Sequence, residues 1–167
     1  MTAVAPARAE KASAPAGALP RIAVQVRSIG GDELDQLCPV LEGRLLAKVG
    51  TQPGYRLVQE RDPAEYRLLL ELAELQFNAS GSYDNPYDAE ANPNKRHYTQ
   101  TIGAELSLDL TLAPLPEGAS LYEDTMEFTA SRPVEPPDER LHGQIIDDLL
   151  ERVAERVPKI LKKRLPH

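Results

Sequence analysis

The side chains best suited to chemistry crowd into residues 78–98, a polar stretch that also holds Gly81, Pro86 and Pro93. Asp84, Asp88 and Glu90, with Asn92 and Asn94, put carboxylate and amide oxygens on one flexible segment, the donor set that a hard cation such as calcium takes. Their spacing lacks the Asp-x-Asp-x-Asp-Gly run and the distal bidentate Glu of an EF-hand, and Asn and Asp beside prolines equally stabilise turns. Asp84, Asp88 and Glu90 thus rank as a secondary metal candidate. The same stretch carries Tyr83, Tyr87 and Tyr98, with Arg96 and His97. Tyrosine gives rigid contact area with a polar tip, and Tyr and Arg are enriched where proteins meet. These five are the candidate partner-binding residues. A loop of this length is usually functional or disordered.

No catalytic constellation accompanies them. The three histidines are His97, His142 and His167, and there is no His-Glu-x-x-His, Gly-x-Ser-x-Gly or phosphate-cradling loop. His142, beside Gly143, reads as a surface residue, and His167 is terminal. Asp147 and Asp148 are adjacent, so on a helix their side chains point different ways and share no site. Cys38 is the only cysteine, which excludes an internal disulfide. No His or clustered cation lies near it to lower its pKa, so it reads as a small core residue. No catalytic residue and no cofactor is expected, and the chain reads as a non-enzyme. A net charge of −7, from 26 acidic against 19 basic residues, speaks against nucleic acid as a partner. No apolar run approaches the ~20 residues that span a bilayer.

The elements that position this loop follow from hydrophobic period. Ile102, Ala104, Leu106, Leu108, Leu110 and Leu112 alternate with Gly103, Glu105, Ser107, Asp109 and Thr111, a strand with one wet face. Such alternation argues for antiparallel pairing, because a parallel sheet covered on both faces reads as a continuous apolar run. Ile22, Val24 and Val26 predict a first strand, broken at Gly30-Gly31. Asp32 is placed to cap a helix on which Leu34, Leu37, Cys38, Leu41, Leu45 and Val49 form the buried stripe; Pro39 either kinks it or marks its start. Residues 54–58 predict a second strand. Residues 64–77 fit a helix by propensity, yet the central strand needs sheet neighbours, so they are read as strand. One face is Tyr66, Leu68, Leu70 and Leu72, and the other is Leu69, Ala73, Leu75 and Phe77. A turn at 113–118 returns Tyr122, Met126 and Phe128 as a hairpin partner. A last helix carries Leu141, Ile145, Leu149, Val153 and Val157, with Pro158 expected to bend its end.

The fold class is therefore α+β: a two-layer sandwich with an antiparallel or mixed sheet of about four to five strands and two helices on one face. Residues 1–20, mostly Ala and Pro, cannot bury enough surface to offset ordering entropy and read as a disordered linker. Residues 21–167 read as a single domain.

Element order and local phrases resemble a group of small bacterial envelope lipoproteins. The phrases are residues 21–26 (Arg-Ile-Ala-Val-Gln-Val), 54–58 (Gly-Tyr-Arg-Leu-Val), 62–68 (Asp-Pro-Ala-Glu-Tyr-Arg-Leu), the strand at 104–112 with its hairpin, and the closing helix. The group includes the lipopolysaccharide-assembly lipoprotein, the activators of penicillin-binding proteins, the curli secretion lipoprotein, the N-terminal domain of the Tol propeller protein and the conjugative surface-exclusion lipoprotein. The resemblance implies a non-enzymatic accessory protein of the periplasm that binds a protein partner and helps an envelope machine assemble or work. It also implies a tether to the outer membrane through a lipid on an N-terminal Cys. Cys38 follows the first strand and cannot be that anchor, so the Ala/Pro-rich stretch reads as what would follow one. The competing reading is a cytosolic α+β domain that binds a small ligand or oligomerises.

Overall fold

The computed structural model of the protein describes residues 18–49, 51–83, 98–116, 118–134 and 139–166. The linker at 1–20 falls mostly outside them. Strand β1 (Arg21–Ser28) leads through a short α1 (Asp32–Asp35) into α2 (Leu37–Val49), followed by β2 (Thr51–Gln52) and β3 (Tyr55–Gln59). The long strands β4 (Tyr66–Tyr83), β5 (Tyr98–Pro114) and β6 (Tyr122–Pro133) come next, and α3 (Leu141–Arg164) closes the chain. The sheet order is β2-β3-β1-β4-β5-β6. β1 runs parallel to both β3 and β4, while the β4–β5 and β5–β6 pairs are antiparallel, so the sheet is mixed.

The segment read as strand at 64–77 is strand from Tyr66 onward, as its place in the sheet demands, against its helix propensity. Its face assignment needs correction. Leu72 pairs with Leu108 but Glu74 pairs with Ser107, so a β-bulge inserts Ala73 as an extra residue. One extra residue shifts a period-2 pattern by one place. Leu68, Leu70 and Leu72 face inward before the bulge, and Leu75 and Phe77 join that same face after it, with Leu75 packed on the core.

Ile22, Val24, Leu57, Leu68, Leu70, Leu72, Leu106, Leu108, Leu110 and Leu112 form the sheet half of one core. Leu41 and Leu45 of α2 and Ile145, Leu149, Val153 and Val157 of α3 cover it. Glu105, Ser107, Asp109 and Thr111 lie half-exposed on the other face. That face is not wholly wet, because Ala23, Val58, Leu69 and Ala113 are buried on it.

The first helix departs from expectation in two ways. Gly31, not Asp32, is the residue that enters α1; it adopts φ 125°, a conformation that favours glycine, and its carbonyl accepts from the Leu34 and Asp35 amides. Gln36 then interrupts the helix, and Pro39 falls in the first turn of α2, where its missing N–H costs no helical hydrogen bond. Of the expected stripe, Leu34, Cys38, Leu41 and Leu45 are buried and Leu37 is half-buried, while the Val49 side chain lies outside the described residues. Pro158 lies inside α3, which runs on through it to Arg164.

Candidate functional site

β4 and β5 extend together well past the end of β1. β1 last pairs at Ser28 with Leu72, whereas β4 and β5 stay in register out to Tyr83 opposite Tyr98. Exposure along the inward face rises from 0% at Leu72 to 40% at Phe77, and residues 78–81 are exposed throughout. The two strands therefore form an arm past β1, accompanied by β6 as far as Thr101 opposite Pro133, beyond which β4 and β5 pair only with each other. On β4 Phe77 still meets the helical layer, stacking on the exposed His142 ring of α3 with centroids 4.8 Å apart and planes at 57°; further out, Ile102 of β5 packs on the core and Arg132 of β6 reaches α3. His142 is thus a packing residue at the arm's root.

Two of the five candidate contact residues, Tyr83 and Tyr98, are brought together as cross-strand partners at the arm's outer end. Their side chains lie outside the described residues, as do Tyr87, Arg96 and His97 and the metal candidates Asp84, Asp88 and Glu90. Among the described residues, no three His, Cys, Asp or Glu side chains converge as metal ligands would.

The arm's base is braced by polar contacts. On the open face, Arg27, Glu71, Asp109 and Thr125 occupy one row across β1, β4, β5 and β6. Arg27 donates to the Glu71 carboxylate at 2.9 Å, and the Thr125 hydroxyl donates to Asp109 at 2.6 Å. On the helical face, Arg132 of β6 grips Asp148 of α3 with Nε at 2.6 Å and Nη2 at 2.9 Å, and its Nη1 donates to Gln144 at 3.3 Å. The Arg132 guanidinium, chiefly by hydrogen bonding, holds the Asp148 carboxyl below the usual carboxylate range. Arg164 lies 4.4 Å above the Tyr122 ring, and the Tyr122 hydroxyl donates to Asp124 at 2.8 Å.

Cys38 lies in the core as read, whereas the buried Tyr55 hydroxyl was less visible in the sequence. The Cys38 thiol donates to the Leu34 carbonyl at 3.4 Å; burial, then the Asp35 charge, pushes its pKa up, the opposite of a reactive thiol. The Tyr55 hydroxyl is buried without a hydrogen-bond partner among the described residues, and burial raises its pKa. Tyr55 borders a cavity of about 290 Å³ that Gln52, Pro53, Pro158, Lys159 and Lys162 also line. The clue in the sequence was Tyr55 falling on the inward side of a strand next to a two-residue turn.

No protein-family model matches the sequence, and no curated protein does. Among solved structures, protein XCC0632 of Xanthomonas campestris is similar over 83% of this chain and 81% of its own, with a TM-score of 0.55 at 10% identity. That likeness shows a shared α+β fold. Two lipoproteins match with lower scores. Rare lipoprotein B of Shewanella oneidensis gives a TM-score of 0.42 at 12% identity, over 86% of this chain and 94% of its own. The minor lipoprotein of Acinetobacter baumannii gives 0.39 at 13% identity, over 83% and 91%.

Proposed function

We propose that the protein is a non-catalytic accessory lipoprotein of the bacterial envelope, held at the membrane by a lipid and contacting a protein partner through the arm of β4 and β5. One observation carries the contact reading: β4 and β5 stay paired past the end of β1 and past the last pair of β6, Thr101 with Pro133, and residues 78–81 are exposed. Residues 84–97, among them Tyr87, Arg96 and His97, connect the two strands at the arm's outer end. Rigid scaffolds commonly carry binding residues on the segments that connect their elements. The resemblance of residues 21–165 to envelope lipoproteins supports the location, and fold alone would not define the role.

The test is fractionation and crosslinking in cells. The protein, expressed with the sequence encoded upstream of it, is expected in the membrane fraction, with discrete crosslinked products that disappear when residues 84–97 become a Gly/Ser linker. Recovery from the cytosol alone would overturn the envelope assignment. Crosslinks indifferent to the loop would overturn the arm as the contact surface.

A further inference from the structure

Among the described residues, β2, β6 and the outer part of β4 each leave sheet edge without a strand partner, and they differ in how they would receive an approaching strand. β2 is two residues long and is followed by Pro53. β6 carries Glu123, Asp124 and Glu127 and ends at Pro133. Short length, charge and proline are the devices that keep a sheet edge from pairing with another chain. The third edge is β4 beyond its bulge. The Ile29 amide donates to the Leu72 carbonyl at 2.9 Å, and there β1 leaves the sheet. From Glu74 to Tyr83, β4 pairs only with β5. That stretch holds a single charge, Glu74 at its inner end, and no Lys, Arg or Pro. Of these three, the edge without such guards is the one on the arm.

We propose that this edge pairs, antiparallel, with the same edge of a second copy of the chain, joining the two sheets into one. Residues 75–83 centre on Ala79, and a two-fold axis through Ala79 sets Phe77 of each copy opposite Gly81 of the other. Such an axis, normal to the sheet, keeps like faces together, so both half-exposed Phe77 rings lie on the shared inner face beside a bare glycine. An aromatic ring covers glycine backbone well across a pair of strands. Glu74 falls outside the paired residues, so no like charges meet. Each copy carries −7 overall, and approach through an almost uncharged segment meets the least repulsion. Pairing with β6 instead would set three acids and a terminal proline against the edge. The isologous contact closes as a dimer.

Sedimentation equilibrium of the full chain tests this. A concentration-dependent dimer is expected. Asn78 and Ser80 are exposed and oppose each other across the proposed axis, so Asn78→Lys/Ser80→Lys together should raise the dimer dissociation constant about tenfold or more through opposed like charges. This double variant lowers the net negative charge, so general repulsion cannot account for a lost dimer. Circular dichroism and a cooperative melting transition establish that the variant folds. Ala79→Cys should form an interchain disulfide under mild oxidation, since residue 79 lies opposite itself, while buried Cys38 stays reduced. A wild-type chain that is monomeric throughout overturns the proposal and leaves a strand from another protein as the edge's occupant. A dimer that survives the lysine pair, or that does not crosslink at 79, overturns it as well.

Discussion

Asp147 and Asp148, neighbours in sequence, tie α3 to two different elements. Asp147 accepts from Arg44 of α2, its carboxylate at 3.2 Å and its carbonyl at 3.0 Å, while Asp148 takes the two-pronged grip of Arg132 from β6. Glu151, one turn on, meets both Arg44 and Lys48. Adjacent helical positions differ by about 100° around the axis, so the pair divides its work between the helix beside α3 and the strand beneath it.

That division sets an acid dependence. Asp148 is held below the ordinary carboxylate pKa in the folded state, so its contribution is present above the unfolded value of about 3.9. It is lost as pH falls through the lower folded value. Urea denaturation at pH 7 and stepwise below pH 4 should show wild-type stability falling more steeply than that of Asp148→Asn. Parallel curves for the two proteins would contradict the assignment.

The exit of β1 yields a second prediction. A Cβ on Gly30 would sit 1.9 Å from the Ala73 carbonyl oxygen, which is backbone at the bulge and cannot turn aside. Gly30→Ala should therefore cost about 1–3 kcal/mol by overpacking, read as a lower urea midpoint. Gly43→Ala, where a Cβ meets nothing within 4 Å, should instead be neutral or slightly stabilising within the helix. Equal responses at the two glycines would refute the close approach.

The same bulge marks where the sequence stopped being legible. From 102 to 112 every second residue is apolar, one register holds throughout, and the strand and its faces follow directly. From 66 to 77 the apolar period slips once, between Leu72 and Leu75, and a slipped period of two places leucines at spacings that also suit a helix. Neighbouring strands settle the choice, and such pairing is not a local property. The two-residue β2 was missed for a different reason, since it pairs locally across Pro53-Gly54 and is too short to show a period. The candidate site was legible only as composition: tyrosines flanking a polar loop say that contact is feasible, while the arm that carries them outward depends on β1 ending early.

Tyr55 gives a third prediction. A buried hydroxyl with no partner among the described residues carries a desolvation penalty that phenylalanine lacks, so Tyr55→Phe should raise unfolding stability by about 1 kcal/mol. Burial raises the folded pKa of Tyr55, so its neutral form is favoured in the fold. That contribution is present below the unfolded tyrosine value of about 10 and lost as pH rises through the higher folded value. The variant should lose this part of the alkaline decline. A loss of stability in Tyr55→Phe would show instead that the hydroxyl is bonded within the neighbouring cavity, through water held there.

The row across the open face makes a fourth. Glu71 and Asp109 are direct cross-strand partners, an arrangement of like charges that weakens a sheet when nothing offsets it. Arg27 offsets it at one side and Thr125 at the other. Arg27→Ala should then destabilise more than the loss of one exposed ion pair would, because it leaves two carboxylates facing each other. Adding Glu71→Gln to that variant should restore stability, whereas Glu71→Gln alone should be close to neutral, the lost pair balanced by the removed repulsion. Salt should narrow the gap between Arg27→Ala and wild type by screening the same repulsion. A double-mutant cycle by thermal melting measures the coupling. Additive effects would mean that the row is a set of independent surface contacts and does not set the spacing of β4 against β5.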